Sequence, residues 1–177
     1  MSNLARRDIR MAVVAALGTI TGLTVVSPGV WDSVPSTFPE AKVRVLVDRK
    51  TSTGRHEPGF TTVVTLQVKL AVQNTTAEAA QDDIEALGNL VEIAVLGSPA
   101  LVGQIQQFPQ VVTETGVSTD GALPIGWAVL MLDVETFEHF DQVVLGTAPA
   151  VPLDTVQATV KADGAADAIT LVSNVNP

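Results

Sequence analysis

The side chains with the greatest chemical potential in this 177-residue sequence are few and scattered. His56 and His139 are its two histidines, and the absence of cysteine excludes disulfides and thiolate metal sites. Glu138, His139 and Asp141 are close in sequence, but neighbouring strand residues point to opposite faces and cannot converge on a metal. No Gly-rich phosphate loop or nucleophile elbow follows a predicted strand. The sequence therefore predicts a non-enzymatic protein with no cofactor and no metal site.

Charge is sparse and unevenly distributed along the chain. Charged residues make up 16% of the sequence, against about 25% in typical soluble domains. Residues 1–60 carry eight Lys or Arg and five acidic residues, whereas residues 61–177 carry two and fourteen. An acidic body lacks the clustered cations that phosphate contacts require, so we expect no specific nucleic-acid binding. The low charge indicates either a surface hidden in an oligomer or small apolar residues scattered over an exposed surface.

The elements that must position any functional residue are clearest in residues 60–96. Apolar and polar residues alternate through the first half, which predicts a strand with one buried face. Thr75 or Thr76 can cap the helix that follows, and Glu78 is spaced for a capping box with Thr75. We expect the helix to end at Gly97. Its apolar positions recur every three or four residues and are Ala80, Ile84, Leu87, Val91 and Ala94.

The N-terminal segment has two interpretations. Arg6, Arg7 and Arg10 precede the uncharged run 11–31, as in a secretory signal, but Asp8 interrupts the basic region and no cleavage-site pattern follows. The second half of the run is too polar for a transmembrane span. We therefore expect an internal helix rather than a cleaved signal. This helix covers residues 4–17, and its core-facing residues are Ile9, Val13, Ala16 and Leu17.

Further strands and a short helix complete the predicted main domain. Strands are expected at residues 41–47, 111–117 and 127–137, and Ser98 is expected to cap a short helix that Pro109 closes. The last strand is apolar on both faces, which predicts helices over one face and a neighbouring subunit over the other. The proline-rich segment 27–39 is expected to be a loop that Trp31 and Phe38 anchor to the core. These elements predict an α+β fold with a mixed, mostly antiparallel sheet of about four strands packed by two or three helices.

A basic connection is the main candidate for an assembly contact. Residues 48–59 are polar and longer than a plain hairpin needs, so they form either a solvated turn or a contact arm that orders against a partner. We predict a contact arm, because the body that it could meet is acidic. Its candidate contact residues are Arg49, Lys50, Arg55 and His56.

The C-terminal segment differs from the rest of the chain. Gly146, Pro149 and Pro152 indicate a linker, after which residues 155–172 predict a β-hairpin. We therefore divide the chain into a main domain, residues 1–139, and a linker with a C-terminal β-hairpin extension, residues 140–177. A lone hairpin is marginally stable, which favours packing on a neighbouring subunit; covering the sheet edge of its own domain is the alternative.

The order of these elements resembles the tail terminator proteins of long-tailed phages, the minor tail protein U family typified by phage lambda. The resemblance covers residues 4–138. It rests on the helix at residues 8–17, the strand entered at 38–45, the strand and helix of 60–96, and the hairpin ending at 129–137. The short helix beginning Ser98-Pro99-Ala100-Leu101 also matches. Residues 139–177 have no counterpart in the family.

The resemblance implies a structural virion protein, homohexameric, that sits as a ring on the head-proximal end of the tail tube. Such a ring terminates tube polymerisation and provides the head-attachment interface. Its partners would be its own copies, the tail tube protein and a head–tail connector or head completion protein. DNA would pass through the lumen without specific binding, no membrane would be involved, and assembly would occur in the host cytoplasm.

Three other functions stay open from the residues alone. A head–tail connector or completion ring protein would share the small ring-forming α+β character. A secreted surface-binding module would fit the signal-like N-terminus and the terminal hairpin. An enzyme could gather pocket residues from distant strands, which a sequence pattern does not reveal.

Overall fold

A computed structural model describes residues 5–27, 31, 35–55, 59–119 and 123–140. The described residues form an α+β fold with a five-stranded mixed sheet and three helices, which confirms the predicted fold class. Apart from Phe140, the predicted C-terminal extension lies outside the described residues. In chain order the elements are α1 (Ala5–Leu17), β1 (Thr24–Val26), β2 (Glu40–Ser52), β3 (Gly59–Gln73), α2 (Ala77–Leu96), α3 (Pro99–Val102), β4 (Gln107–Ser118) and β5 (Ile125–His139).

The sheet has the strand order β1-β2-β3-β5-β4. β1 is parallel to β2, and the other neighbouring strands are antiparallel. β3 lies at the centre and pairs with β5 along its whole length, from Gly59 opposite His139 to Gln73 opposite Ile125. This order places β2 and β4 on opposite sides of the central pair.

The hydrophobic core lies between one face of the sheet and the helices. α1 packs mainly on β2, whereas α2 packs on β3, β5 and β4. Alternating residues of β3 and β5 supply the sheet side, and full burial of each Leu or Ile contributes about 1.5–3 kcal/mol. The predicted core residues of α1 are all buried, and so are those of α2 except Ala94, which is half-buried. The buried residues of the two helices are Ile9, Ala12, Val13, Ala16, Leu17, Ala80, Ile84, Leu87, Gly88, Val91 and Val95.

The start of α2 differs from the predicted capping box. Thr76 is the N-cap, and its hydroxyl oxygen accepts a hydrogen bond from the Ala79 amide at 3.2 Å. Thr75 instead directs its own amide to the Asn74 side chain at 2.7 Å. The helix begins one residue later than a Thr75–Glu78 box requires and ends before Gly97, as predicted. None of the helices among the described residues is long and apolar enough to cross a membrane.

The connection between β2 and β3 is shorter than predicted. β2 continues to Ser52 and β3 begins at Gly59, so the predicted loop 48–59 is wrong in its first part. Thr51 pairs with Thr61, and the Thr53 amide donates to the Gly59 carbonyl at 3.0 Å. These cross-strand partners extend the ladder through a stretch whose polar composition resembles a loop. The other strands are also longer than predicted, and β1 was not predicted.

Candidate assembly surfaces

The structure separates the three predicted contact residues that it describes, Arg49, Lys50 and Arg55. Arg49 and Lys50 are consecutive residues of β2, so their side chains point to opposite faces of the sheet. Arg49 is exposed on the face opposite the helices, and Arg55 is exposed in the connection after β2. His56 lies outside the described residues. The prediction that Arg49 and Lys50 belong to a loop is wrong; their contact with a partner stays a prediction.

Lys50 belongs to a polar cluster within the subunit. Its ammonium group contacts the Glu138 carboxylate and lies 3.4 Å from the Thr62 hydroxyl. Thr62 also donates to the same carboxylate at 2.6 Å, and both Thr62 and Glu138 are buried. The Lys50 nitrogen is 5.5 Å from the centre of the Phe140 ring. Burial lowers the pKa of Lys50, and the nearby Asp48 carboxylate opposes that change. This cluster joins β2, β3 and β5 at one end of the sheet.

We predict that Lys50→Met lowers the free energy of unfolding by about 1–2 kcal/mol, because it removes a charged partner from the buried Glu138 carboxylate. Arg49→Met is the matched control: Arg49 precedes Lys50 on the same strand but points to the other face of the sheet, away from Glu138, so its removal should change stability by less than about 0.5 kcal/mol. Urea unfolding of both variants measures the difference. Equal midpoints for Lys50→Met and the unchanged protein would contradict the assigned role of Lys50.

A basic groove follows the β2 side of the molecule. Arg6, Arg7 and Arg10 of α1 and Arg44 of β2 line an open groove of about 540 Å³. Arg6 lies 3.8 Å from Asp48, with more than half of its side chain exposed. Arg10 donates to the Ser27 hydroxyl, which in turn donates to the Val43 carbonyl. One acidic residue therefore accompanies four arginines along the groove, which leaves a net positive surface. We call this the basic edge.

Trp31 lies on the sheet face opposite the helices and not in the core. The Arg44 guanidinium lies 3.9 Å from the centre of a Trp31 ring, and the Lys69 ammonium lies 6.0 Å away. Arg44 also donates two hydrogen bonds to the Gln67 side chain. The expectation that Trp31 anchors its loop to the core is therefore wrong, because the indole stacks on cations of the other sheet face.

The opposite side of the molecule is acidic. Residues 70–140 contain no Lys or Arg. Glu78, Glu85 and Glu92 of α2 are seven residues apart, so they lie in one row along the helix. Glu92 accepts a hydrogen bond from the Thr113 hydroxyl of β4 at 2.5 Å, which places this row beside β4. Glu114, the next residue of β4, is exposed on the other face of the same edge strand. We call the row and β4 the acidic edge.

The sheet face opposite the helices carries partly exposed apolar residues. Leu46, at the irregularity of β2, is 50% exposed, and Val112 and Met131 are half-buried. Together with Val47 they line a shallow groove of about 230 Å³, which also contains polar side chains from β2, β3, β4 and β5. Trp127, Val129 and Met131 of β5 lie half-buried on this face, so the prediction that β5 has apolar residues on both faces is confirmed. A neighbouring subunit over this face stays a prediction.

The residues first considered for chemistry do not form a site in the described part of the chain. Glu138 belongs to the Lys50 cluster, whereas His139 is exposed at the end of β5, and Asp141 lies outside the described residues. No group of three His, Asp or Glu among the described residues could hold a metal ion. Comparison with protein-family models gives no match, and comparison with curated proteins finds no similar sequence.

The sequence patterns did not indicate either edge as a candidate assembly surface. Arg6, Arg7 and Arg10 were interpreted through their likeness to a signal region, and the glutamates of α2 as its solvent-facing arc. The informative signal was the absence of Lys and Arg from residues 70–140, combined with their abundance before residue 60. The sequence alone does not say that these two regions lie on opposite sides of one sheet, because that depends on strand order.

Proposed function

We propose that the protein is a structural virion protein that forms a ring on the end of a phage tail tube. The ring ends tube polymerisation and presents the surface to which the head attaches. The phage assignment is supported by the order of elements, which resembles the tail terminator family. The proposal that copies associate is carried by one observation, the separation of opposite charges onto the basic and acidic edges.

Opposite charges on opposite edges favour head-to-tail association of identical copies. In such a heterologous contact, each copy uses its basic edge toward one neighbour and its acidic edge toward the other. Repetition of that contact closes a ring when the rotation between neighbours divides a full turn. The same charges would steer neighbouring copies together and oppose the reversed orientation. The resemblance suggests a ring of six.

The proposed partners follow from a ring at this position in the particle. The ring would contact its own copies, the tail tube protein on one face and a head–tail connector or head completion protein on the other. DNA would cross the lumen without specific binding, since the net charge of −9 repels phosphates. The proposal requires no catalytic group, cofactor or membrane, and it places the protein in the virion after assembly in the host cytoplasm.

Mixing the purified protein with tail tube protein tests this function. We expect native mass spectrometry to detect a closed ring of six copies, and electron microscopy to find it at one end of tubes whose growth has stopped. Free protein can remain monomeric, because association with a template stabilises the assembled form by mass action. A strict monomer in the presence of tubes would contradict the proposal.

Two competing functions give different results in the same assay. A head–tail connector or completion ring would bind the head side of the junction and leave tube length unchanged. A surface-binding module would bind cells or glycans without forming a ring on tubes. High salt provides an internal control, because screening at 1 M salt reduces interactions between exposed charges to a range of about 3 Å and should weaken ring formation.

A further inference from the structure

The outer edge of β2 has backbone groups that no described strand pairs with. β1 covers β2 only from Glu40 to Lys42, and the Ser27 hydroxyl donates to the Val43 carbonyl at the next position. No strand among the described residues pairs with the outer side of β2 beyond that point. The Thr53 amide bonds to the Gly59 carbonyl, so alternation directs the backbone groups of Asp48, Lys50 and Ser52 outward. Among the described residues, nothing pairs with this row, so it can accept a further strand.

The outer edge of β4 has the same property. β4 is the last strand of the described sheet. The Gln106 amide donates to the Glu135 carbonyl, so the odd-numbered residues of β5 direct their backbone groups toward β4. Met131 pairs with Val112, which means that the even-numbered residues of β4 face β5. Alternation then directs the backbone groups of Val111, Thr113, Thr115 and Val117 outward.

We infer that each copy pairs the free β2 edge, residues 44–52, with the β4 edge, residues 111–117, of the next copy, and that α1 arginines meet α2 glutamates above this junction. The inference rests on the proposed ring and names its interface. β4 runs opposite to β2 in the sheet, since β2 and β5 are both antiparallel to β3 and β4 is antiparallel to β5. When the ring axis is parallel to the strands, the rotation from one copy to the next preserves the strand directions. β2 of one copy and β4 of the next copy therefore form an antiparallel pair.

The two layers of the fold support the same contact. In the sheet layer, unpaired donors and acceptors of β2 meet those of β4, which removes two exposed edges at once. In the helix layer, Arg6 and Arg7 border the β2 edge, whereas Glu85 and Glu92 border the β4 edge. Arginine pairs with carboxylates through two parallel hydrogen bonds, so the helices select the neighbour and its orientation. The second copy is therefore the occupant that fits both edges.

A charge exchange between two variants tests the helix layer. At the proposed helix contact, Arg6→Glu/Arg7→Glu places glutamates opposite glutamates, and Glu85→Lys/Glu92→Lys places lysines opposite arginines. We expect each variant alone to need about tenfold more protein to form rings on tubes, because every contact then joins like charges. A 1:1 mixture should restore assembly, with the variants alternating and equal numbers of each in the native mass spectrum. Asp83→Lys, which reverses an exposed charge of α2 away from the two edges, should assemble normally.

The sheet layer is tested by cross-linking, since the chain has no cysteine. We expect Ser52→Cys/Thr115→Cys, treated with a short bis-maleimide on assembled rings, to give products larger than a dimer. Ser52→Cys/Asp83→Cys is the control, because Asp83 is exposed on the side of α2 away from Glu85 and Glu92, and it should not give them. Circular dichroism verifies that all variants fold.

The outcomes separate this interface from the proposed function. If the unchanged protein forms rings but the mixture stays inactive, or each charge variant assembles normally, the helix contact is wrong while the ring stands. If both cysteine pairs give the same products, the strand contact is wrong. If the unchanged protein forms no ring on tubes, the proposed function fails and this interface fails with it.

Discussion

Replacing Gly126 with alanine should lower the free energy of unfolding by about 3 kcal/mol, at the upper end of the cost of overpacking a core. A Cβ atom at Gly126 would overlap the Ala80 carbonyl oxygen and lie 3.1 Å from its carbonyl carbon. It would also lie 3.0 Å from a methyl carbon of Val72. The Ala80 atoms belong to the backbone of α2 and cannot rotate away, so the helix must move off the sheet. Urea unfolding measures the loss.

Gly88→Ala is the matched control for this prediction. Gly88 is also buried and belongs to α2, but a Cβ atom there would have no atom within 4 Å apart from its chain neighbours and the backbone of its own helix. Alanine in a helix interior is more favourable than glycine, so this variant should gain about 0.5–1 kcal/mol. A Gly126→Ala variant as stable as the unchanged protein would show that α2 does not approach β5 as closely as described. A loss of stability in both variants would mean that this region tolerates no added methyl group, whatever the space around it.

The elements with strong periodicity could be predicted from the sequence. β3 alternates apolar and polar residues over most of its length, and α2 repeats its apolar residues at three- and four-residue intervals. In both cases the pattern is local, because a buried face demands a regular spacing within one element. The structure places Leu66 and Ile84 from these patterns in full burial. Their identity as core residues needed no knowledge of strand order.

Elements held by distant partners could not be predicted in the same way. The second half of β2 is polar, and it is a strand because Lys50 contacts Glu138, a residue far away in the chain, and because Thr51 pairs with Thr61. β1 spans only three residues, Thr24–Val26, which is too short for a periodic signal, and it exists through its pairing with β2. Propensity is a weak guide where pairing decides the structure.

The candidate assembly surfaces depend still more on topology. The sequence contains the excess of arginine before residue 60 and its absence from 70–140, but not the distance between those regions in space. The strand order β1-β2-β3-β5-β4 places β5 between β3 and β4, so β4 and not β5 is the edge strand on the acidic side. A sequential order would have made β5 that edge strand, and β5 also contains no Lys or Arg. The crossover therefore decides which strand forms the acidic edge, whereas the segregation of charge comes from composition and from the position of β3 between the two regions.

Alternation on β2 predicted the direction of Lys42 but not its environment. Lys42 points away from the helices, as expected, yet its side chain is only 6% exposed. Glu40, two residues earlier on the same face, is 7% exposed, and its Oε1 atom lies 3.4 Å from the Lys42 ammonium. That oxygen accepts no hydrogen bond from the described residues, so the ammonium charge offsets a buried carboxylate. Because the two charges are buried together, removing one of them should cost more stability than removing both.

We predict that Lys42→Met lowers the free energy of unfolding by about 3–5 kcal/mol, because it leaves the Glu40 carboxylate buried without its countercharge. The double variant Glu40→Leu/Lys42→Met removes both charges and should recover most of that loss, since apolar residues of similar volume can replace a buried ion pair at little cost. Urea unfolding of the unchanged protein, both single variants and the double variant completes the cycle. Additive losses in the double variant would mean that the two charges do not interact, and an unchanged Lys42→Met midpoint would mean that water reaches Glu40.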